Sequence, residues 1–331
     1  MAMFLHGSRR KFVATWGRSA KPTKTERGRQ VRSPSVPKQT TRSRYCGCGP
    51  AAQELWYSNI QREPMTNIVF NHATVRERAD MLTFLRLCSE RGLETVSIWG
   101  DEIAKVGESD ALSALRDFGM TVSGYNRIGP LAADCLDRAE AELERAARFE
   151  ADHVFLFTGG LRDNEKDLGS ARRRIEDLVG KVLEHARKIG VKLAIEPLHP
   201  MLTGDRTVIS SLSHANSLCE ALGPGIGVVV DVYHCWWDER LGAEIERAGG
   251  AGRLFGFHVN DWLIPTRHLL TDRGMMGDGI IDLRGIHSMV RDAGFEGAVE
   301  VEIFSTDWWS RDPAEVMDIA IDRCRCLFTE E

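Results

Sequence analysis

Short apolar runs alternate with longer amphipathic stretches along most of the chain, beginning near residue 67. The short runs are rich in β-branched and aromatic residues, which is typical of buried strands. The longer stretches place apolar residues every three or four positions, which is typical of helices that pack on one face. This pattern predicts eight strands, at 67–71, 95–99, 121–124, 153–157, 192–196, 226–231, 254–259 and 299–303.

Helices are predicted after each of these strands. They span 76–91, 110–118, 132–149, 170–189, 211–222, 239–248, 283–293 and 313–328. Several are followed by the glycine that is common after a helix C-terminus, as at Gly92 and Gly190. Eight strand–helix units predict an α/β fold, the (β/α)8 TIM barrel. A doubly wound open sheet is the alternative, but no Gly-x-Gly-x-x-Gly sequence follows the first strand.

The first 64 residues differ from the rest in charge and composition. They hold 13 Lys and Arg against three acidic residues, whereas 65–331 hold 30 basic and 45 acidic residues. The segment is rich in Arg, Ser and Pro without helical or strand periodicity, so we predict a disordered basic extension at 1–64 and the TIM-barrel domain at 65–331. A transit peptide or a nucleic acid-binding tail has a similar composition. We prefer a non-folding extension, or a biological start at Met65.

The composition also bears on where the protein acts. No run of about 18 apolar residues is present, so no membrane-spanning helix is expected. The eight cysteines lack the Cys-x2-Cys spacing of zinc knuckles and redox motifs, and we expect them to be reduced in a cytoplasmic protein. The acidic barrel disfavours contact with nucleic acid phosphates, and the subunit number stays open, with a homo-oligomer as one option.

Four consecutive predicted strands in the second half carry side chains that commonly bind metals at their ends. They are Glu196, Asp231, His258 and Glu302. Because the carboxyl ends of barrel strands meet at one face, we expect these side chains to converge. Three carboxylates and one imidazole at close range need a cation to offset their repulsion. The sequence therefore predicts one divalent metal ion, with Mn²⁺ or Mg²⁺ favoured over Zn²⁺ by the oxygen-rich ligands.

Short motifs surround these four residues: Ile-Glu-Pro at 195–197, Asp-Val-Tyr-His at 231–234, His-Val-Asn-Asp at 258–261 and Val-Glu-Ile-Phe at 301–304. They resemble the xylose isomerase-like TIM-barrel superfamily of sugar and sugar-phosphate isomerases and epimerases, over about residues 66–328. The resemblance implies an enzyme of carbohydrate metabolism that isomerises or epimerises a small sugar or sugar phosphate through an enediolate. It implies that all four residues bind the metal and that Glu196 and Glu302 act as acid and base.

Other candidate residues lie near the same strand ends. The resemblance implies that His234 contacts substrate oxygens and takes part in catalysis, and that Arg267 corresponds to a substrate-binding arginine. His199 is an additional imidazole three residues after the first ligand, and it serves either as a general base or as a cap for the turn between two prolines. Glu300 has the strand parity of Glu302, so we expect it on the same face, one layer deeper.

Six tryptophans lie at or after strand ends, at positions 99, 236, 237, 262, 308 and 309. Aromatic rings stack on sugars and on aromatic aglycones, and we predict that Trp99 and Trp262 contact the substrate. Together with His199, this surface resembles the metal-bearing subunits of C-glycoside deglycosidases. That resemblance implies a metal-dependent lyase on oxidised glycosides as the alternative enzyme. A non-catalytic sugar-binding barrel is the alternative outside the enzymes.

Two further possibilities involve phosphate. Endonuclease IV has the same fold, but it uses additional histidines from its early strands, and the early strand ends of this chain do not supply them. A phosphate on the substrate is suggested by Arg267, Arg273 and the Gly-Asp-Gly sequence at 277–279, because barrel enzymes often bind phosphate after the seventh strand. An ordinary glycine-containing loop is the other interpretation of this segment.

Overall fold

Eight parallel strands close into a barrel in the computed structural model, which describes residues 67–328. Each strand pairs with its neighbour in chain order, and the last strand returns to the first, with Val299 opposite Ile68. The (β/α)8 TIM-barrel prediction is confirmed. The strands are β1 (Ile68–Asn71), β2 (Thr95–Trp99), β3 (Thr121–Ile128), β4 (His153–Leu156), β5 (Leu193–Ile195), β6 (Ile226–Asp231), β7 (Leu254–Val259) and β8 (Val299–Val301).

Helices cover the outside of the barrel. Three single turns of 3-10 helix lie at His72–Thr74, Ala133–Cys135 and Pro200–Leu202, and two-residue strands at Asp261–Trp262 and Arg273–Gly274 form a small antiparallel ladder. The α-helices are α1 (Met81–Glu90), α2 (Gly100–Val106), α3 (Glu108–Asp117), α4 (Leu136–Arg148), α5 (Leu168–Ile189), α6 (Leu212–Leu222), α7 (Val232–Cys235), α8 (Leu241–Gly250), α9 (Leu283–Asp292), α10 (Thr306–Trp309) and α11 (Pro313–Phe328).

The longest helix, α5, shows how the sequence pattern produces this packing. Its buried residues recur every three or four positions and form one apolar face, which the hydrophobic effect holds against the barrel. The Asp167 carboxylate accepts a hydrogen bond from the Gly169 amide at the start. Gly190 ends the helix in the left-handed conformation, with φ of 76°, which glycine adopts without strain. The buried residues are Ala171, Ile175, Leu178, Val179, Val182, Leu183 and Ala186.

Several boundaries differ from the predictions, and two of these differences have a clear physical reason. The helix predicted at 76–91 begins only at Met81, because Asp80 caps it by accepting a hydrogen bond from the Thr83 amide at 2.8 Å. The strand predicted at 121–124 continues to Ile128. Its polar residue Asn126 is buried inside the barrel and donates to the Ser97 hydroxyl at 3.0 Å, so polarity does not end the strand there.

Several predictions fall on residues that the structure does not describe. The basic extension at 1–64, the proposed start at Met65 and the state of Cys46 and Cys48 lie outside residues 67–328. The six cysteines within this range are all free thiols. Among the helices of the same range, none combines the length and apolar character needed to cross a membrane.

A buried histidine directly follows β1. The Nε2 atom of His72 donates to the Ala79 carbonyl oxygen at 2.8 Å, and burial lowers its pKa to about 4. The same side chain titrates near 6.5 in an unfolded chain. The unfolded chain therefore binds a proton that the folded chain does not bind between these two values. The stability that this histidine supplies is present above pH 6.5 and is lost as the pH falls towards 4.

Replacing this histidine by glutamine is expected to reduce the loss of stability in acid. His72→Gln keeps an N–H donor for the Ala79 carbonyl but removes the titrating group. Between pH 6.5 and 4, we expect its free energy of unfolding to fall by about 2–3 kcal/mol less than that of the wild type. Urea unfolding at several pH values measures this difference. The exposed His268 provides the control variant His268→Gln, and equal slopes for wild type and His72→Gln would contradict the prediction.

Candidate metal centre and substrate cavity

The four predicted ligands meet at the carboxyl end of the barrel. Asp231 is the last residue of β6 and lies opposite His258 of β7, while Glu196 and Glu302 each follow the end of a strand. One carboxylate oxygen or ring nitrogen from each of the four residues lies within 4.8 Å of the others. Neighbouring strands carry these side chains to one level because they end at the same face of the barrel. The predicted convergence is therefore present in the structure.

Several donor atoms of this cluster lack hydrogen-bond partners. The Oε1 atom of Glu196 and both ring nitrogens of His258 are buried without one. The Nδ1 atom of His258 lies 3.7 Å from Glu196 Oε1 and 3.7 Å from Glu302 Oε2. Buried polar atoms normally have partners, and three carboxylates with one imidazole form a common ligand set for a divalent cation. The residues therefore fit a metal ion, which would bind between atoms that are otherwise unsatisfied.

A buried arginine joins the cluster. The Nη1 atom of Arg273 donates to Asp231 Oδ2 at 2.8 Å and to Glu302 Oε2 at 3.0 Å. Its Nη2 atom lies 3.2 Å from the Nε2 atom of His234, and its guanidinium packs on the rings of Tyr233 and Phe304. The sequence suggested this arginine only as a possible phosphate ligand. Its place in the two-residue strand Arg273–Gly274, which no periodicity reveals, turns its side chain into the barrel.

The pKa values in the cluster show how strongly it attracts positive charge. Burial raises the pKa of Glu196 far above its usual range, and the charges of Glu302 and Asp231 raise it further. Burial would also raise the pKa values of Asp231 and Glu302, but nearby cationic groups, including Arg273, outweigh it and lower both. Burial would lower the pKa of His258, yet the surrounding carboxylates raise it to about 10. The site is thus an anionic centre that a cation stabilises.

A second layer of polar residues supports the ligands from below. Asn71 Nδ2 donates to Glu300 Oε1 at 2.7 Å and to Glu302 Oε1 at 3.1 Å, and its Oδ1 accepts from Trp99 Nε1 at 2.7 Å. Glu300 lies opposite His258 across β7 and β8, with 3.5 Å between Glu300 Oε1 and His258 Nε2. This agrees with the expected deeper position of Glu300. Sequence reasoning missed Asn71, because an asparagine that ends a strand resembles any turn residue.

Two further histidines were predicted near the metal. His234 is buried beside the cavity, and burial lowers its pKa to about 4. His199 lies outside the cavity wall: its Nδ1 accepts from the Met201 amide at 3.2 Å, and its ring stacks on Trp262 with centroids 4.9 Å apart. Of the two interpretations of His199, the structure shows the capping contact. Its role as a general base stays a prediction.

A cavity of about 370 Å³ opens above the cluster. Its floor is lined by Glu196, Glu302, His234 and Arg273. Among the tryptophans of residues 67–328, only Trp99 lines the cavity. The structure does not bring the other two predicted substrate-binding residues to it. Trp262 packs among His199, Tyr233 and Trp236. Arg267 is 57% exposed and pairs with Asp272 and Asp307.

The glycine-containing loop after β7 is an ordinary structural loop. The carboxylate of Asp261 accepts hydrogen bonds from the amides of Gly277 at 2.9 Å, Gly279 at 2.8 Å and Ile281 at 3.1 Å. These amides are the groups that would have cradled a phosphate, and an internal carboxylate already occupies them. The suggested phosphate site at 277–279 is therefore wrong.

A second cavity, of about 450 Å³, lies at the opposite end of the barrel. Its wall contains residues from the beginnings of strands, including Thr95, Thr121 and His153, together with Lys192. Barrel enzymes carry their chemistry at the carboxyl ends of the strands. Since the ligand cluster lies at that face, the smaller cavity is the candidate substrate site.

Comparison with known proteins adds independent information. A sequence model of the family described as "Xylose isomerase-like TIM barrel" matches residues 84–325. An inosose isomerase from Halalkalibacterium halodurans is 26% identical over 276 residues, which are 77% of this chain and 94% of that protein. The crystal structure of protein SMc04130 from Sinorhizobium meliloti 1021 is 41% identical, with a TM-score of 0.77 over 79% of this chain and 98% of that one. The IOLI protein with a bound zinc atom has 19% identity and a TM-score of 0.69, covering 80% of this chain and 99% of that one; this likeness concerns the fold alone.

Proposed function

The chain belongs to the xylose isomerase-like TIM-barrel family, and from that premise we propose that it is a sugar isomerase or epimerase that works with one divalent metal ion. The observation that carries this proposal is the convergence of Glu196, Asp231, His258 and Glu302, whose ligand atoms lie within 4.8 Å of one another. The inosose isomerase relative supports a small polyhydroxy ketone as the class of substrate.

The metal would be held by these four residues. When bound, it would stabilise the negative charge that develops on the carbonyl and hydroxyl oxygens as an enediolate forms. Three of the four ligands are carboxylates, which supports Mn²⁺ or Mg²⁺ ahead of Zn²⁺. The zinc atom of the IOLI structure belongs to that protein and leaves the choice of metal open here.

Two carboxylates are proposed to move protons. The side chain of Glu196 is 20% exposed and lines the cavity, so its carboxylate can exchange a proton with a bound substrate, while its buried Oε1 has no hydrogen-bond partner and is available to the metal. Glu302 is held by Asn71 at 3.1 Å and by Arg273 at 3.0 Å, so its orientation is set before the substrate binds. One carboxylate would remove the proton next to the carbonyl, and the other would return a proton to the enediolate.

Arg273 and His234 complete the floor of the cavity. Both are buried, and Arg273 Nη2 donates to His234 Nε2 at 3.2 Å, so the guanidinium N–H groups and the imidazole ring are fixed in direction. Donors that are oriented in advance stabilise developing negative charge without reorganisation during the reaction. We propose that they bind substrate oxygens, with Trp99 as an apolar wall for the carbon skeleton.

Reaction in heavy water tests the proposal. The full-length protein, loaded with Mn²⁺, is incubated in D₂O with an inosose and with D-fructose, and the products are analysed by chromatography and mass spectrometry. We expect an isomeric product that carries one deuterium on the carbon next to the carbonyl, because the carboxylate proton exchanges with solvent. Protein treated with a chelator is the control and should form no product. A product without deuterium would contradict the enediolate, and equal activity after chelation would contradict the metal.

The lyase alternative loses the two observations from which it came. His199 contacts Met201 and Trp262 and does not line the cavity, and only one of the six tryptophans does so. A 3-oxo glycoside in the same incubation distinguishes the reactions, because a lyase releases the aglycone while an isomerase leaves the mass unchanged.

A further inference from the structure

Three arginines surround the mouth of the substrate cavity, above the metal cluster. They are Arg76, Arg127 and Arg206. Arg76 lies in the segment after β1, Arg127 is next to the last residue of β3, and Arg206 lies in the segment after β5. Residues 65–331 as a whole hold 30 basic and 45 acidic residues, so this rim reverses the prevailing charge of the barrel. A local concentration of one charge around a cleft raises the local concentration of ligands with the opposite charge.

The central arginine of the rim is Arg127. Its guanidinium carbon lies 4.6 Å from the centroid of the Phe157 ring and 5.7 Å from that of Trp99. Among the residues that the structure describes, it forms no ion pair with a carboxylate. The two rings hold the guanidinium in place but cannot neutralise it, and a planar guanidinium offers several N–H donors to a phosphate or carboxylate.

The other two arginines differ in how well they are paired. Arg76 donates to Asp101 at 2.9 Å and also to Glu102, so its charge is already balanced. Among the described residues, Arg206 pairs only with Asp205, whose Oδ2 lies 3.9 Å from Arg206 Nε. The Asp205 side chain is 83% exposed. An exposed pair at this distance contributes little, so Arg206 remains available to a ligand.

The lowered pKa of Arg127 indicates that the charges of Arg76 and Arg206 lie close to it. Although the side chain is open to the cavity, the surrounding protein displaces part of its hydration and lowers the pKa from its usual value. Asp101 and Glu196 act in the opposite direction, while Arg206 and Arg76 lower the pKa further through their like charges. The two available guanidinium groups therefore repel each other across the mouth, and an anion between them would relieve that repulsion.

The metal cluster does not need the rim for its own charge balance. With a divalent ion bound, the three ionised carboxylates of the cluster and the guanidinium of Arg273 would together give this floor a net charge of zero. The positive charge of Arg127 and Arg206 is left over, and it faces the same cavity.

We infer that the substrate carries an anionic group, a phosphate ester or a carboxylate, which Arg127 and Arg206 bind at the mouth while its carbonyl end reaches the cluster. This inference rests on the proposed function and narrows its substrate class. It moves the anion site from the loop at 277–279, where Asp261 occupies the amides, to the arginines of the cavity lining. A cavity of about 370 Å³ is within the size range of small-molecule sites.

Binding of unreactive polyols tests the inference without relying on turnover. The probes are sorbitol, sorbitol 6-phosphate and gluconate, titrated by calorimetry into the full-length protein loaded with Mn²⁺. We expect at least one anionic probe to bind about 10-fold or more tightly than sorbitol, with a preference that weakens as salt is added. Tighter binding of sorbitol 6-phosphate would identify a phosphate ester, and tighter binding of gluconate would identify a sugar acid.

Variants assign the preference to the rim. In Arg127→Gln we expect the anionic and neutral probes to bind within about 2-fold of each other, with sorbitol itself unaffected. Arg127→Lys keeps the charge without the planar fork and should retain part of the preference. Arg86→Gln removes the same charge from an exposed site on α1 and should leave the preference as in the wild type. Circular dichroism and melting temperature confirm that each variant is folded.

Failure of this inference is distinguishable from failure of the proposed function. If the wild type binds the three probes equally or binds none of them, or if Arg127→Gln weakens all three to the same extent, the anion site is wrong. Such a result leaves the heavy-water experiment on neutral ketoses intact. Conversely, an anion preference that depends on Arg127, in a protein that exchanges no deuterium with any ketose, would support the site and contradict the isomerase.

Discussion

Glu302→Gln is expected to lower kcat by about 10²–10⁴-fold and to release the metal during dialysis. The carboxylate belongs to the ligand cluster, and it is also one of the two groups proposed to transfer a proton. Glutamine is similar in size, but its amide is neutral and does not accept a proton as a carboxylate does. Its amide would also place an N–H group beside Arg273, whose Nη1 lies 3.0 Å from Glu302 Oε2.

Two measurements examine this expectation. Metal content after dialysis is determined by elemental analysis, and kcat is measured with the ketose that the screen identifies. Glu315→Gln is the matched control, because Glu315 is 56% exposed on α11 and belongs neither to the ligand cluster nor to the cavity lining. Full metal occupancy together with unchanged kcat in Glu302→Gln would exclude Glu302 from both roles.

Arg273→Met is expected to destabilise the metal-free protein by about 3–5 kcal/mol. Arg273 is 6% exposed and donates to both Asp231 and Glu302, so its loss leaves two buried carboxylates without their nearest cation. Methionine fills much of the same volume and therefore isolates the charge from the packing. A bound divalent ion would supply the missing charge, so we expect Mn²⁺ to stabilise this variant more than it stabilises the wild type.

Urea unfolding with a chelator and with Mn²⁺ measures both effects. Arg86→Met is the comparison variant, because the Arg86–Glu90 pair is about half exposed on each side and such pairs contribute at most about 1 kcal/mol. A loss of the same small size in Arg273→Met would mean that the cluster is not short of positive charge. Equal stabilisation of variant and wild type by Mn²⁺ would contradict metal binding between these carboxylates.

The strands and the four candidate ligands could be predicted from the sequence because both depend on local pattern. The run Ile226–Asp231 is apolar until its last residue, and Leu254–Val259 behaves in the same way around His258. All strands of a closed parallel barrel have their carboxyl ends at the same face, so a polar residue that ends a strand must lie at that face. The convergence of Glu196 and Glu302 with them follows from the same rule.

The loops could not be predicted in this way. Arg267 and Arg273 lie six residues apart in one loop and have the same chemistry, yet the first is 57% exposed and the second is buried in the cluster. The difference arises from the pairing of Arg273–Gly274 with Asp261–Trp262, which is a contact between distant parts of the loop. The tryptophans show the same limit, since all six lie at or after strand ends but only Trp99 reaches the described cavity wall.

The barrel, the family resemblance and the residues of the candidate metal centre could thus be identified from the sequence, because strand periodicity and strand ends are local features of the chain. Three features became visible only in the folded protein: Arg273 balances the carboxylates, Asn71 supports Glu302, and Arg127 faces the cavity without forming an ion pair within residues 67–328. Those outcomes depend on which side chains from different loops occupy the same space, and charge pairing in a barrel mouth follows distance in space rather than distance along the chain.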